Sequence, residues 1–141
     1  MNKQVNFYKS ASMAISLLYL YLFLQLFFDG VGFVESLGLP SNSAIPVLCK
    51  RTSIFVLGLC VLMFSSRNLI PSQARQYICL SNGITMTLMS CMGSYELIRG
   101  SVNSSILVAI IIEIIFGVSF LILFFKTFKT SRNANENVQT K

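Results

Sequence analysis

Apolar residues run along this chain in four long stretches parted by short polar or glycine-bearing breaks. Each is long enough to be weighed against the roughly 20 residues that a helix needs to cross hydrocarbon. The first, Ala11 to Phe28, carries no charge and only Ser12, Ser16 and Gln25 as clearly polar positions. The second, about Ile45 to Phe64, has Lys50 and Arg51 in its first two turns, which leaves Thr52 to Phe64 as its charge-free part and makes it the weakest of the four. The third, about Tyr77 to Leu97, is rich in Ser, Thr, Gly and Met, and the fourth, about Ser104 to Phe125, is almost all Ile, Leu, Val and Phe around one acid, Glu113. The pattern predicts an all-α polytopic membrane protein, an antiparallel four-helix transmembrane bundle over residues 1–128.

The breaks carry matching signals. Pro40-Ser41-Asn42-Ser43 is a turn suited to capping the second helix, with Pro46 tolerated in its first turn, and Pro71-Ser72 plays the same part for the third. Arg99-Gly100-Ser101 reads as a tight break before the fourth helix. Gly30, Gly32 and Gly38 interrupt the first connection, yet Phe33, Val34, Leu37 and Leu39 make it too apolar for a solvated loop, so it is expected to lie at the membrane interface. From Lys129 to Lys141 the chain is polar and aperiodic, the composition of a disordered tail.

Composition narrows the class. Of 141 residues 54% are hydrophobic and only 11% charged, against about a quarter charged in a soluble domain. A chain this short cannot hide so much apolar surface in one globular core, whereas a bilayer solvates the outer faces of its helices. The formal net charge of +6 does not point to nucleic acid, because the basic residues sit at the ends of apolar stretches and form no stripe with interleaved aromatics. They do set an orientation. Lys3, Lys9, Arg67, Arg75, Lys126, Lys129, Arg132 and Lys141 fall on one side of the four stretches, and Lys50, Arg51 and Arg99 on the other, which puts both termini in the cytoplasm. The first stretch is too long for a signal-peptide core and no A-x-A-like site follows Phe28, so it is expected to be retained.

Cys49, Cys60, Cys79 and Cys91 have no C-x-x-C spacing and the chain has no histidine, so zinc or haem ligation is not expected. Cys49 and Cys91 could lie at similar depth and pair, although small apolar filler is the simpler role. Asn103-Ser104-Ser105 fits a glycosylation acceptor but lies too close to the membrane to serve well.

The informative residues are those that hydrocarbon excludes. Glu113 falls near the middle of the fourth stretch, where a charge costs about 2.5 to 3.5 kcal/mol on insertion scales and is expected to face protein or water. Ala109 and Gly117, one turn to either side, offer a small-residue face for a neighbouring helix. Arg51 shares a face with Gly58 and lies roughly 5 Å nearer the outer surface than Glu113, a gap its side chain can bridge, so an Arg51–Glu113 pair is geometrically reasonable. On the third helix Asn82, Thr85, Met89, Gly93 and Glu96 recur at steps of three or four, beside a stripe of Gly83, Thr87, Ser90 and Ser94. The seam these residues form has two readings. It can simply lock helix register through hydrogen bonds and one buried ion pair, or it can line a cavity for a quinone-like or lipid-like molecule or for protons.

Arg51 with Gly58 seven positions on, Arg67 and Arg75 in the short inner loop, Gly93, Arg99-Gly100 and Glu113 in the last span together resemble the small bacterial DoxX-like membrane proteins, over about Leu17 to Phe125. The resemblance implies a four-helix bundle in a bacterial inner membrane, in a family most of whose members have no assigned activity and some of which are described as subunits linked to quinone chemistry. The chain departs from the nearest members at Ser94-Tyr95-Glu96, where they often carry an arginine.

Two classes of function follow. With no nucleophile, base pair or metal set in view, the first is a non-catalytic accessory or structural subunit that docks a larger membrane complex or another copy of itself. The second is a binder, carrier or enzyme for a quinone or lipid, with Glu113 handling the proton and Arg51 as its partner.

Overall fold

The computed structural model describes residues 2–40 and 42–139, with side chains over 5–40 and 42–128. It is all-helical, with α1 (Asn2–Ser36), α2 (Ile45–Ser66), α3 (Gln73–Ile98) and α4 (Ile106–Gln139). Among the described residues three helices are long and apolar enough to cross a membrane, over Val5–Ser36, Ile45–Ser66 and Ile106–Phe128.

The weak member is therefore α3 and not α2. With 26 residues α3 is long enough, but its buried face consists of Arg75, Gln76, Cys79, Asn82, Gly83, Met86 and Ser90, so polar groups are turned to the inside and lower its apolar content. In α2 the Lys50 and Arg51 pair occupies only one turn of 22 residues, and the rest outweighs it.

Helix ends follow local chemistry. Ser72 caps α3 by accepting the Arg75 N–H at 3.4 Å. At the other end Gly100 adopts φ +72°, and the N–H groups of Gly100 and Ser101 return to the carbonyls of Leu97 and Glu96. Helix α2 begins without a side-chain cap. Its Ncap is Ala44, with Pro46 in the first turn, and Asn42 spends its side-chain oxygen on the Ala44 N–H at 3.0 Å. In α1 the backbone breaks at Asp29 (φ −136°, ψ 43°), so a short kinked helix carries Phe33 and Val34 up to the Gly38 turn. At its other end α4 continues as helix through Gln139, since no glycine or proline follows Gly117 to stop it; composition alone had pointed to disorder there, and Thr140 and Lys141 lie outside the described residues.

Packing is uneven. Helix α1 lies along α2 and α3 along α4, while α1 meets α4 more sparsely and the backbones of α2 and α3 hardly approach each other. Glycines make the two close pairs. A Cβ at Gly83 would stand 2.8 Å from the Leu121 side chain, one at Gly117 3.0 Å from Thr87 Oγ1, and one at Gly93 3.1 Å from Ile110. Gly30 is pressed against Cys49, whose thiol lies 3.5 Å from the Gly30 carbonyl. Tyr8, Ile15 and Tyr19 of α1, Met63 of α2, Cys79 and Met86 of α3, and Phe120 and Leu123 of α4 join the helices in one buried cluster. The two connections also meet, since Asn103 donates its backbone N–H to Leu37 O and its side-chain amide to Ser36 O, both at 2.8 Å.

Candidate functional site

A concavity lies between α2 and α3. It is a half-open groove of about 250 Å³ lined by Leu59 and Leu62 of α2, Tyr77, Ile78, Ser81, Asn82 and Thr85 of α3, and Tyr19 of α1. Its floor is polar and fully specified. Tyr19 reaches across from α1 and donates to Asn82 Oδ1 at 3.0 Å, while Asn82 Nδ2 donates to the Ile78 carbonyl at 3.0 Å and lies 3.2 Å from Met63 Sδ. Both Tyr19 and Asn82 are buried. Asn82 thus links three helices at one point, and all of its amide groups are occupied.

The α3 wall differs from the floor. Thr87, Ser90, Ser94, Ser119 and Thr127 each return their hydroxyl to a carbonyl three or four residues earlier, the usual way a helix hides a hydroxyl. Ser81 and Thr85, one turn apart and exposed on the groove, make no such bond among the described residues. The groove therefore offers the Ser81 and Thr85 hydroxyls, with Tyr77 beside them, on one wall and leucine on the other.

A second polar cluster lies at the opposite end from the Gly38 and Gly100 turns. Arg75 is 1% exposed, its guanidinium stacked 4.1 Å from the centre of the fully buried Tyr8 ring. Gln76 donates to the Thr127 carbonyl at 3.4 Å close by. Arg75, read from the sequence as a loop charge, is thus an interior residue.

The polar residues singled out in the sequence are distributed otherwise than as one seam. Asn82 and Thr85 meet in the groove. Glu96 lies 3.9 Å from Arg99, a pair between the last turn of α3 and its C-cap residue. Glu113 is half-buried on α4 and Arg51 is exposed on α2. They form no ion pair, and the helices that carry them are not packed on each other, α2 lying along α1 and α4 mainly along α3. The expected contact inside one chain is therefore corrected. Of the packing residues, Gly83, Gly93 and Gly117 lie between α3 and α4, Ala109 is exposed, and a Cβ at Gly58 would meet nothing within 4 Å. All four cysteines are free, with Cys49 buried and Cys91 exposed.

Sequence reading passed over Tyr19, Met63 and the burial of Arg75. The signal for Tyr19 was present: a phenol deep in an apolar stretch requires a partner when buried. No protein-family model, curated protein or solved structure matches the chain. Fold and site together define a class only, an all-helical protein with three helices able to cross a membrane and a polar-floored lateral groove.

Proposed function

We propose that this chain is a multi-pass protein of a bacterial inner membrane, an antiparallel four-helix bundle with cytoplasmic termini, whose groove between α2 and α3 binds the polar ring or headgroup of a quinone-like or lipid-like molecule. The observation that carries the reading is the pairing of free Ser81 and Thr85 hydroxyls with the Leu59 and Leu62 wall above a satisfied Tyr19–Asn82 floor. An apolar cavity of about 150 Å³ already accepts benzene, so about 250 Å³ holds a substituted ring while the rest of an amphiphile extends into the bilayer. The hydroxyls would orient a carbonyl or ester by hydrogen bonds, and the leucines would take the ring face. The resemblance to DoxX-like proteins, some of them linked to quinone chemistry, points the same way. Binding requires no catalytic group, and the reading is of a binding protein or subunit.

Native mass spectrometry of the detergent-extracted protein with a decyl-substituted benzoquinone, or with phosphatidylglycerol, tests this. One retained molecule is expected, lost when Thr85→Leu fills the groove and kept when Ser119→Ala alters α4 elsewhere. Equal retention by Thr85→Leu would remove the groove as the site. Orientation is tested separately with reporters: one fused after Lys141 should be active only in the cytoplasm, and one at Asn42 only outside.

A further inference from the structure

The groove leaves the charges within the apolar helices unexplained. Arg51 lies inside α2 and Glu113 inside α4, and among the described residues neither has an ion-pair partner. Within one chain they form no ion pair, and α2 and α4 are not packed on each other: α2 lies along α1, and α4 lies mainly along α3. Their positions along the helices nevertheless correspond. Arg51 is six residues past the start of α2 at Ile45 and Glu113 seven past the start of α4 at Ile106, or about 9 Å and about 10.5 Å along the two axes. The connections that precede both helices are held together by the bonds of Asn103 to Ser36 and Leu37, so both counts begin from the same end of the molecule.

The surroundings of each charge are open and apolar. Arg51 is flanked on α2 by Leu48, 60% exposed, and Phe55, 78% exposed. Beside Glu113, one turn back on α4, Ala109 is exposed and small, which lets a second helix come close to the carboxylate. An exposed cation on one outward face and a half-buried acid at matching depth on another are complementary surfaces carried by one and the same chain.

We infer that this protein self-associates in the membrane, with the Arg51 face of α2 in one copy docked on the Glu113 face of α4 in another. A second copy fits better than a different protein, because it brings both members of the pair at the required depth. In a two-fold dimer the contact is made twice, and in a head-to-tail ring once at each step. The inference is independent of any ligand in the groove.

The test is charge exchange in the full-length chain. Wild-type protein reconstituted in liposomes, counted by single-molecule photobleaching over a range of protein-to-lipid ratios, should be a dimer or small ring. Arg51→Glu or Glu113→Arg, each alone, should raise the apparent dissociation constant at least tenfold, since each sets like charges opposite one another. Differently tagged Arg51→Glu and Glu113→Arg chains expressed together should associate with each other, because the opposite charges meet again at both contacts. A variant that fails to insert is replaced by Arg51→Met or Glu113→Gln, for which at least a threefold weakening is expected. Wild-type protein that stays monomeric at every density, association indifferent to these substitutions, or no rescue in the mixed pair would each overturn the inference. So would wild-type chains that associate only with a different membrane protein.

Discussion

Tyr19 and Asn82, sixty-three positions apart, join α1 to α3 through a 3.0 Å hydrogen bond from the phenol to the amide oxygen. Both residues are buried at the floor of the groove, so loss of the donor leaves a largely buried acceptor without its partner. Tyr19→Phe should cost about 1 to 2 kcal/mol and Asn82→Leu a similar amount or more. In a double-mutant cycle the pair should show a coupling of about 0.6 kcal/mol, the average for side-chain hydrogen bonds between membrane helices, and no more than about 1.7 kcal/mol. Thermal unfolding of the four proteins in one detergent gives the number, and strictly additive losses would mean that the bond contributes nothing.

Tyr8 makes a different case, since its ring stacks on Arg75 while its buried hydroxyl has no hydrogen-bond partner among the described residues. Removing an unsatisfied hydroxyl and keeping the ring should be neutral or stabilising, by up to about 1 kcal/mol for Tyr8→Phe. Tyr8→Leu removes the cation–π contact and should destabilise by about 2 kcal/mol. A Tyr8→Phe protein that unfolds more easily than wild type would show that the hydroxyl is engaged.

Two glycines separate packing from propensity. Gly83→Ala sets a Cβ 2.8 Å from Leu121 Cδ2 and 3.3 Å from the Leu121 backbone nitrogen, and should cost about 1 to 3 kcal/mol. Gly58→Ala, with nothing within 4 Å, should instead gain about 0.5 to 1 kcal/mol from helix propensity in the detergent-solubilised monomer. Adding Leu121→Ala should recover part of the Gly83→Ala loss. The same melting measurement decides the order of the three variants.

Asn103 should act on local opening more than on global stability. Its side-chain amide holds the Ser36 carbonyl at 2.8 Å, and Asn103→Ala should lose about 0.5 to 1.5 kcal/mol of that contact. Hydrogen–deuterium exchange should rise in the peptide over 36–39 and remain unchanged in the middle of α3. Uniform exchange across the molecule would place the tie elsewhere. The same bond engages the Asn103 nitrogen to which a sugar would attach, so the Asn103-Ser104-Ser105 match has a structural role of its own.

The number of helices and most of their ends were legible in the residues alone. Long apolar runs admit few alternatives to helix, and Ser72, Gly38 and Gly100 terminate or cap by local chemistry that needs no distant partner. The kink at Asp29 and the helical run beyond Lys129 were not legible, since both depend on whether a neighbouring segment or simple hydrogen-bond continuity prevails over composition.

The site divides along the same line. Polar residues in an apolar helix announce that they matter, and Asn82, Thr85, Glu113 and Arg51 could be picked out for the cost of exposing them to hydrocarbon. Which of them meet depends on which helices pack, a property of side-chain fit between distant parts of the chain. Gly30 on Cys49 draws α1 to α2, and Gly83 and Gly117 draw α3 to α4. That choice brings Tyr19 to Asn82, buries Arg75 under Tyr8, and holds Arg51 away from Glu113. The sequence by itself determined the helices and the charges they carry; the tertiary structure decided the pairings, because which helices approach closely depends on side-chain fit at a few glycines that are distant in sequence from their partners.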